Sequence, residues 1–463
     1  MAFTRLYDAL DGNGQEAPVV LLRTFSELQE HKRLATEVAK KAADGTLTVP
    51  EKEFDTQTAF GWAVGLHDAL RRADPVVDAN PPRALTGYRD LLAATNNLLP
   101  DLELGALVAC HVQSRRPHGG PTQFADFFPN LRRINSPTFG QLGWARLPRH
   151  RDLPIDKDLT VASLPFLGER ADVTFDLRQN GSYYAARPAT DQLISHVPAA
   201  LAALDKSGAQ FAVLPEAALD DRLLDAWQSA CRASAVLGNL RLLLAGTGPV
   251  TVAPEGCLLA GEFSNDQLGV LPHNRAVLLD RATGEVVLAQ DKQRGFSMTA
   301  TFRRREGLLI GEKEPGEIDE RVLDELMTDP TGLNLFDSRS CRIAILICED
   351  LGRVADTGAL VFVAGVGMVL APVLAPPLLP DRWQERAAKQ LTPDGADVVV
   401  VNSLAFGRED LDEHNDYKRR VGVPAASAVA ITGSDDPIRR PEEHEGVPPQ
   451  PRDDALRVRL VTI

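Results

Sequence analysis

From residue 158 onward the sequence keeps one texture. A short run rich in Val, Ile, Leu and Ala stops at a polar residue, and helix-spaced or turn-forming sequence then follows. The runs are "LTVASLPFL" (159–167), "QFAVLPE" (210–216), "LRLLLAGTG" (240–248), "CRIAILICED" (341–350), "GMVLAPV" (367–373), "ADVVVVNS" (396–403) and "LRVRLVTI" (456–463). Continuous apolar runs of this length, bounded by turn residues, read as strands buried on both faces, as in parallel sheets. Between them, "TDQLISHVPAALAALDKSG" (190–208) puts Leu193, Val197, Leu201 and Leu204 on one helical face, with Pro198 expected to kink it. "DRLLDAWQSACRASAVLG" (221–238) reads as a second helix, and "NRAVLLDRATGEVVLAQDK" (274–292) as a hairpin turning at "RATGE". Such a chain must be α/β, with one large sheet or two packed sheets.

The first ~150 residues differ in periodicity. Ser26 can cap a helix carrying Leu28, Leu34, Ala35 and Val38 on one face, and Asp55 precedes another with Ala59, Ala63, Leu66 and Leu70 in step. "NPPRALTGYRDLLAATNNLL" (80–99) offers a third, with Pro81 suited to its first turn. The reading is a mainly helical N-terminal domain, residues 1–150, without a catalytic signature. A linker rich in charge and proline, "RLPRHRDLPIDKD", leads to a second domain over 158–463. A chain of 463 residues is long enough for two cores. The segment 433–454, charged and proline-rich, reads as an extended arm.

Bulk properties exclude several functions. A formal net charge of −14 argues against coating nucleic acid. Five cysteines without CxxC pairing suggest a reducing compartment, and the N-terminus lacks a basic-then-apolar signal, so a cytoplasmic protein is expected. The uncharged stretch 359–379 is long enough to cross a bilayer, but Pro372, Pro376 and Pro377 interrupt it. It reads instead as a short helix ending near Gly365–Gly367, a core strand and a loop, with no membrane partner. The histidines are scattered, and His444 sits between glutamates, so no metal is expected. The Gly246–Gly248 turn lacks the Lys-Ser/Thr of a phosphate loop, so no nucleotide or other cofactor is assigned.

Chemistry in α/β folds gathers beyond the carboxyl ends of strands. Glu216 follows "FAVLP", Lys292 follows "VVLAQD", and Cys348 ends "RIAILI" beside two acids. Alone, each reads as ordinary: a turn glutamate, a surface lysine, a core cysteine. Together they make an inventory for covalent attack on a carbon–nitrogen bond. The lysine favours thiolate and stabilises developing negative charge, while the glutamate moves the proton.

"FAVLPEAAL", "AQDKQRG" and "AILICEDLGR" resemble, in order, the three signature blocks of the nitrilase superfamily of carbon–nitrogen hydrolases. The "ICEDL" wording is similar to the glutaminase part of glutamine-dependent NAD synthetases. "LLLAGTG", "MVLAPV", Trp383 and Arg386 in "RWQERAAKQL", and Asn402 in "VVVVNS" agree with the resemblance, which covers about residues 158–463. It implies a four-layer α-β-β-α sandwich, with Glu216 as general base, Lys292 as oxyanion stabiliser and Cys348 as nucleophile. The backbone N–H of Glu349 would assist the oxyanion. A second glutamate usual in the family is assigned to Glu306, with Glu312 as the other candidate, and Asp350 is read as a structural anchor. Departures are the missing His–Leu after the lysine, "LGRVAD" after the cysteine, and a long stretch between Lys292 and Cys348, taken as an inserted loop around "EKEPGEIDERVLDELMTDPTG".

The reading that follows is an amidase acting on a non-peptide or side-chain amide of a small molecule through a cysteine thioester. Two others stand beside it: an acyltransferase using the same thioester, and an inert sensor scaffold whose N-terminal part docks a protein partner. The resemblance also implies a homo-oligomer.

Overall fold

The computed structural model describes residues 29–43, 98–101, 105–109, 131–134, 142–146 and most of 159–462. Within that last span it omits 179–180, 235–237, 252–272, 309, 311–317, 328–331, 338–340, 354–356, 359, 362–363, 377, 379–382, 393–395, 407–427, 432–437 and 440–458. The chain divides into two compact units, the first built mainly of Met1–Gln141 and the second of Leu142 onward.

In the first unit Gln29–Ala43 is helical, as its spacing predicts, with Ala35, Val38 and Ala39 buried on one face and a Lys41–Glu37 pair on the other at 2.7 Å. The expected helix over 55–74 lies outside the described residues. So does most of the one over 80–99, whose final residues belong instead to a strand, Leu98–Asp101. That strand, Gly105–Ala109 and Leu131–Ile134 form a three-stranded antiparallel sheet, so the mainly helical expectation does not hold there. Leucine and alanine favour helix intrinsically, and cross-strand pairing overrides so weak a preference.

The second unit is a mixed α/β structure. A six-stranded sheet runs in the order Val286–Asp291, His273–Asp280, Leu242–Val250, Phe211–Val213, Thr160–Ser163, Arg459–Thr462. A seven-stranded sheet runs Ile438–Arg439, Ala428–Ile431, Asp397–Asn402, Met368–Val373, Arg342–Ile345, Leu333–Asp337, Leu142–Arg146. Leu142–Arg146 pairs in parallel with Leu333–Asp337, so this unit takes in residues ahead of the expected 150–158 boundary. The central strands of both sheets are parallel and buried at nearly every position, which is why they read as continuous apolar runs.

Helices Val197–Lys206 and Asp221–Ala233 cover one face of the six-stranded sheet. Leu201, Leu204, Leu223 and Trp227 join Ala212, Leu214, Leu243 and Ala245 in one core. Pro198 does not kink a continuous helix. It stands in the first turn of Val197–Lys206, after a separate 3-10 turn Ile194–His196, because that position needs no N–H donor. Asp220 caps the second helix by accepting from Leu223 N at 2.8 Å. Arg281, buried after strand His273–Asp280, clamps Asp205 with contacts of 2.9 and 2.5 Å and so ties the hairpin to the helix layer.

The "GTG" of Leu242–Val250 lets this strand approach the loop that carries Glu216. Thr247 donates to Pro215 O at 3.3 Å and accepts from Leu219 N at 3.0 Å. A Cβ on Gly248 would lie 1.8 Å from Leu219 O, a backbone atom that cannot step aside. Gly248→Ala is therefore expected to cost about 3 kcal/mol or more of stability, read as a lowered urea midpoint at unchanged slope.

The stretch 359–379 holds the strand Met368–Val373, and among the described residues no helix is long and apolar enough to cross a membrane.

Candidate active site

Three backbone devices deliver three side chains to one place. Strand Phe211–Val213 ends in Leu214 and Pro215, and Ala217 takes a left-handed φ of 60°, turning Glu216 into the interior. The hairpin of His273–Asp280 and Val286–Asp291 is pinned across its open end by a buried bidentate pair, Arg275–Asp291, at 2.6 and 3.0 Å. Lys292 N donates to Asn274 O at 2.9 Å, which fixes where the lysine leaves the strand. Strand Arg342–Ile345 runs on to Cys348, whose φ of 47° and ψ of −100° make a sharp elbow before the short helix Glu349–Gly352. The elbow is held by Cys348 N–H donating to Pro372 O at 3.0 Å on the neighbouring strand. A non-glycine residue in such a conformation is strained, and such strain concentrates where a side chain must be presented.

Glu216 and Lys292 are only 4% and 2% exposed, which rules out the solvated-turn and surface-lysine readings. Lys292 Nζ donates to Glu216 Oε1 at 2.7 Å and to Glu325 Oε2 at 2.5 Å. Asn274 Nδ2 bridges the same two carboxylates, at 3.1 Å to Glu216 and 2.7 Å to Glu325, while its Oδ1 accepts from Thr247 at 2.8 Å. Glu216 Oε2 accepts from Leu374 N at 3.0 Å, and Glu325 Oε2 from Phe296 N at 3.0 Å. Cys348 lies close enough to Glu216 and Lys292 to feel the charge of both. Burial by itself would lower the Lys292 pKa, but Glu216 and Glu325 together hold it well above its ordinary value, so the site keeps a fixed ammonium.

The expectation that the lysine makes Cys348 a resting thiolate is reversed. Burial, followed by the Glu216 charge, pushes the thiol well above its ordinary pKa, and the Lys292 charge offsets only part of this. Lys292 is shared between two carboxylates, so little of its field is left for the sulfur.

The second glutamate is also placed differently. Glu306 is not gathered around Lys292. It caps helix Ala300–Arg305 and accepts from Arg305 Nε at 2.7 Å, while the Arg305 guanidinium lies over the Phe302 ring at 5.4 Å. Glu312 lies outside the described residues. Glu325 takes the position, at the end of a strand, Leu323–Glu325, that sits between Ser297–Met298 and Tyr183–Pro188 in a four-stranded sheet. The stretch read as an inserted loop therefore contributes a sheet strand and a site carboxylate. Asn274 was missed as well. Its only sequence signal is a polar residue opening an apolar strand one residue before Arg275, too common a pattern to single out.

Asp350 joins the lysine and cysteine segments, accepting from Gln293 N at 3.0 Å, Arg294 N at 2.8 Å and Ile347 N at 3.2 Å. Burial lifts its carboxyl to about 7, with Lys292 and these N–H donors pulling the other way. The folded protein thus holds this proton more tightly than the unfolded chain, whose value is near 3.8. Stability from the group is present below the unfolded value and is lost as pH rises towards about 7. In paired urea titrations, wild type is expected to lose ground to Asp350→Asn between these values, at up to about 1.4 kcal/mol per pH unit.

The cluster opens into a cavity of about 520 Å³. Cys348, Glu216, Lys292 and Glu325 line one end, and aromatic side chains line much of the rest. Glu349 lines it too, and as the first residue of its helix its N–H has no intrahelical acceptor. Trp383 and Arg386 enter the wall from helix Trp383–Leu391. Asn402 holds the rim, donating to Ala375 O at 2.8 Å and accepting from Ala375 N at 3.0 Å. Among the described residues no cluster of His, Cys, Asp and Glu fits a metal ion.

No protein-family model and no curated protein matches the chain. Among solved structures it is similar to an amidase from Nesterenkonia sp., at 13% identity and a TM-score of 0.35, over 66% of this chain and 90% of that one. A mutant of that amidase, described as showing covalent addition of the acetamide moiety of fluoroacetamide at the active site cysteine, matches with the same values. Saccharomyces cerevisiae Nit3, a member of branch 10 of the nitrilase superfamily, matches at 10% identity and a TM-score of 0.37, over 66% of this chain and 89% of that one. These solved structures are described as nitrilase-superfamily proteins, an amidase among them.

Proposed function

We propose that the protein is a carbon–nitrogen hydrolase that cleaves a non-peptide or side-chain amide through a thioester on Cys348. The observation that carries this reading is the buried Lys292 held between Glu216 and Glu325 beside a strained cysteine at the end of a cavity. Two carboxylates and one ammonium out of water are a poor way to stabilise a fold, since apolar residues of similar size do as well or better. Such a cluster is explained by chemistry.

The thiol begins protonated, which suits a base acting at the moment of attack. Glu216, which lines the same end of the cavity as the thiol, takes its proton as Sγ bonds to the amide carbon. Lys292 has three N–H donors; two are engaged by Glu216 and Glu325, leaving one for the oxyanion, together with the Glu349 N–H. Glu216 then passes its proton to the leaving nitrogen, and ammonia or an amine departs from the thioester. Water, losing a proton to Glu216, attacks the thioester carbon. The acid leaves as Sγ recovers the proton. Glu325 touches no reacting atom: with Asn274 it positions Lys292 and keeps it charged.

The architecture belongs to the same reading. Strands of the six- and seven-stranded sheets are buried on both faces, and helices pack on each sheet, which favours an α-β-β-α stack.

The test is release of ammonia from a panel of amides and nitriles by purified full-length protein, repeated with hydroxylamine present. Ammonia with the free acid supports hydrolysis. A product formed only with the amine acceptor would move the reading to an acyltransferase, and silence across the panel would reject both.

A further inference from the structure

The cavity is much larger than an amide group needs, and its walls are distinctive. Phe296 and Phe302 meet edge to face at 5.3 Å on one side. On another, Phe175 packs with Tyr184 at 5.9 Å and with Phe406 at 6.2 Å. Helix Trp383–Leu391 supplies Trp383, Arg386 and Gln390, which share one face by their spacing.

Two cations attend these walls without a carboxylate partner among the described residues. Arg386 lines the cavity directly and is exposed. Arg170 stands behind the wall, its guanidinium 5.1 Å from the Phe175 ring and 5.7 Å from the Phe406 ring. Its Nη1 donates to Val173 O at 2.6 Å, and its Nε is buried without a partner. The one lining carboxylate outside the Lys292 cluster, Glu349, is already engaged by Arg353 at 2.9 Å. The catalytic end therefore has its own ammonium, shared between two carboxylates, while among the described residues the rest of the cavity is apolar with an excess of positive charge.

Resting on the amidase reading above, we propose that the substrate is an amide whose acyl part is long or aromatic and ends in an anionic group, and that Arg386 is the specificity-determining residue that binds that anion. Aromatic walls take the apolar body, and a guanidinium with its donors uncommitted pairs with a carboxylate through charge-assisted hydrogen bonds. Small amides would leave most of the aromatic surface unfilled. Neutral amides would leave Arg386 unused.

The probes are suberamic acid, its uncharged counterpart octanamide, and the short succinamic acid. With wild type, kcat/KM for suberamic acid is expected to exceed both others by about tenfold or more, chiefly through KM. In Arg386→Met the preference for suberamic acid over octanamide should fall to about one, and Arg386→Lys should restore part of it. Calorimetric binding of the same probes to Cys348→Ala, with and without Arg386→Met, reads recognition apart from turnover. Selective binding of suberamic acid that needs Arg386, without turnover in wild type, would keep this proposal and remove the hydrolase reading. Turnover without chain-length or charge preference would keep the hydrolase and overturn the proposal. A preference for succinamic acid, or a preference for anions unchanged in Arg386→Met, overturns it as well, as does neither binding nor turnover.

Discussion

Cys348→Ala is expected to abolish amide turnover and leave the fold intact. The substitution removes one sulfur atom from a buried site, so the lost packing is small. The elbow does not depend on the thiol, since its position is set by Cys348 N–H on Pro372 O and by the parallel pairing of its strand with Met368–Val373. Alanine tolerates the left-handed φ no better and no worse than cysteine. Stability should therefore change by no more than about 1 kcal/mol. Removing the sulfur leaves Lys292, Asn274 and Leu374 N on the Glu216 carboxylate. The checks are paired: urea unfolding should be nearly unchanged, and turnover of any substrate found with wild type should fall to background. Mass spectrometry with an electrophilic amide analogue should show one adduct in wild type, mapped to Cys348, and none in the variant. The buried free cysteines Cys231 and Cys341 are internal controls, the Cys231 thiol being pushed up to about 11 by burial. Retained activity in Cys348→Ala would end the thioester mechanism.

What the sequence made legible follows from where the information is local. Buried parallel strands announce themselves as apolar runs, so Phe211–Val213, Arg342–Ile345, Met368–Val373 and Asp397–Asn402 fall where those runs predict. Polar residues at their ends are conspicuous for the same reason, and Glu216, Lys292 and Cys348 do converge. Asp350 is an anchor, as expected, because a carboxylate beside a strand end meets backbone N–H groups. Glu325 was illegible. It ends a three-residue strand inside an acidic stretch where several glutamates look alike, and only its parallel pairing with Tyr183–Pro188 selects it. Glu306 in "RRREGL" ends the helix Ala300–Arg305 and pairs with its neighbour Arg305 instead of with Lys292. The raised thiol was also out of reach, because it depends first on the burial of Cys348 and then on how one ammonium is shared with two carboxylates, both set by the fold.

Lys292→Met should be the most damaging single change in the protein, and it separates two effects that the wild type combines. In the native site one ammonium stands among Glu216, Glu325 and a neutral thiol, for a net charge of −1 out of water. Methionine keeps the length of the stem but leaves the two carboxylates together without their ammonium, with Asn274 Nδ2 as their only shared donor among the described residues. Removing one partner of a buried ion pair costs about 3–5 kcal/mol, so the urea midpoint should drop sharply. Turnover should fall by about a hundredfold or more even where the variant is folded, because the N–H donor for the oxyanion is gone. Adding Glu325→Gln to Lys292→Met returns the site to one carboxylate and a net charge of −1, and glutamine can still accept from Asn274 and Phe296 N. The double variant is therefore expected to regain much of the lost stability and none of the lost rate. That split separates the part Lys292 plays in stabilising the buried carboxylates from the part it plays in catalysis. If stability were not recovered, the cost of Lys292→Met would lie in packing rather than in stranded charge. If rate were recovered along with stability, Lys292 would be a structural counter-ion, and the oxyanion would have to be held by other donors.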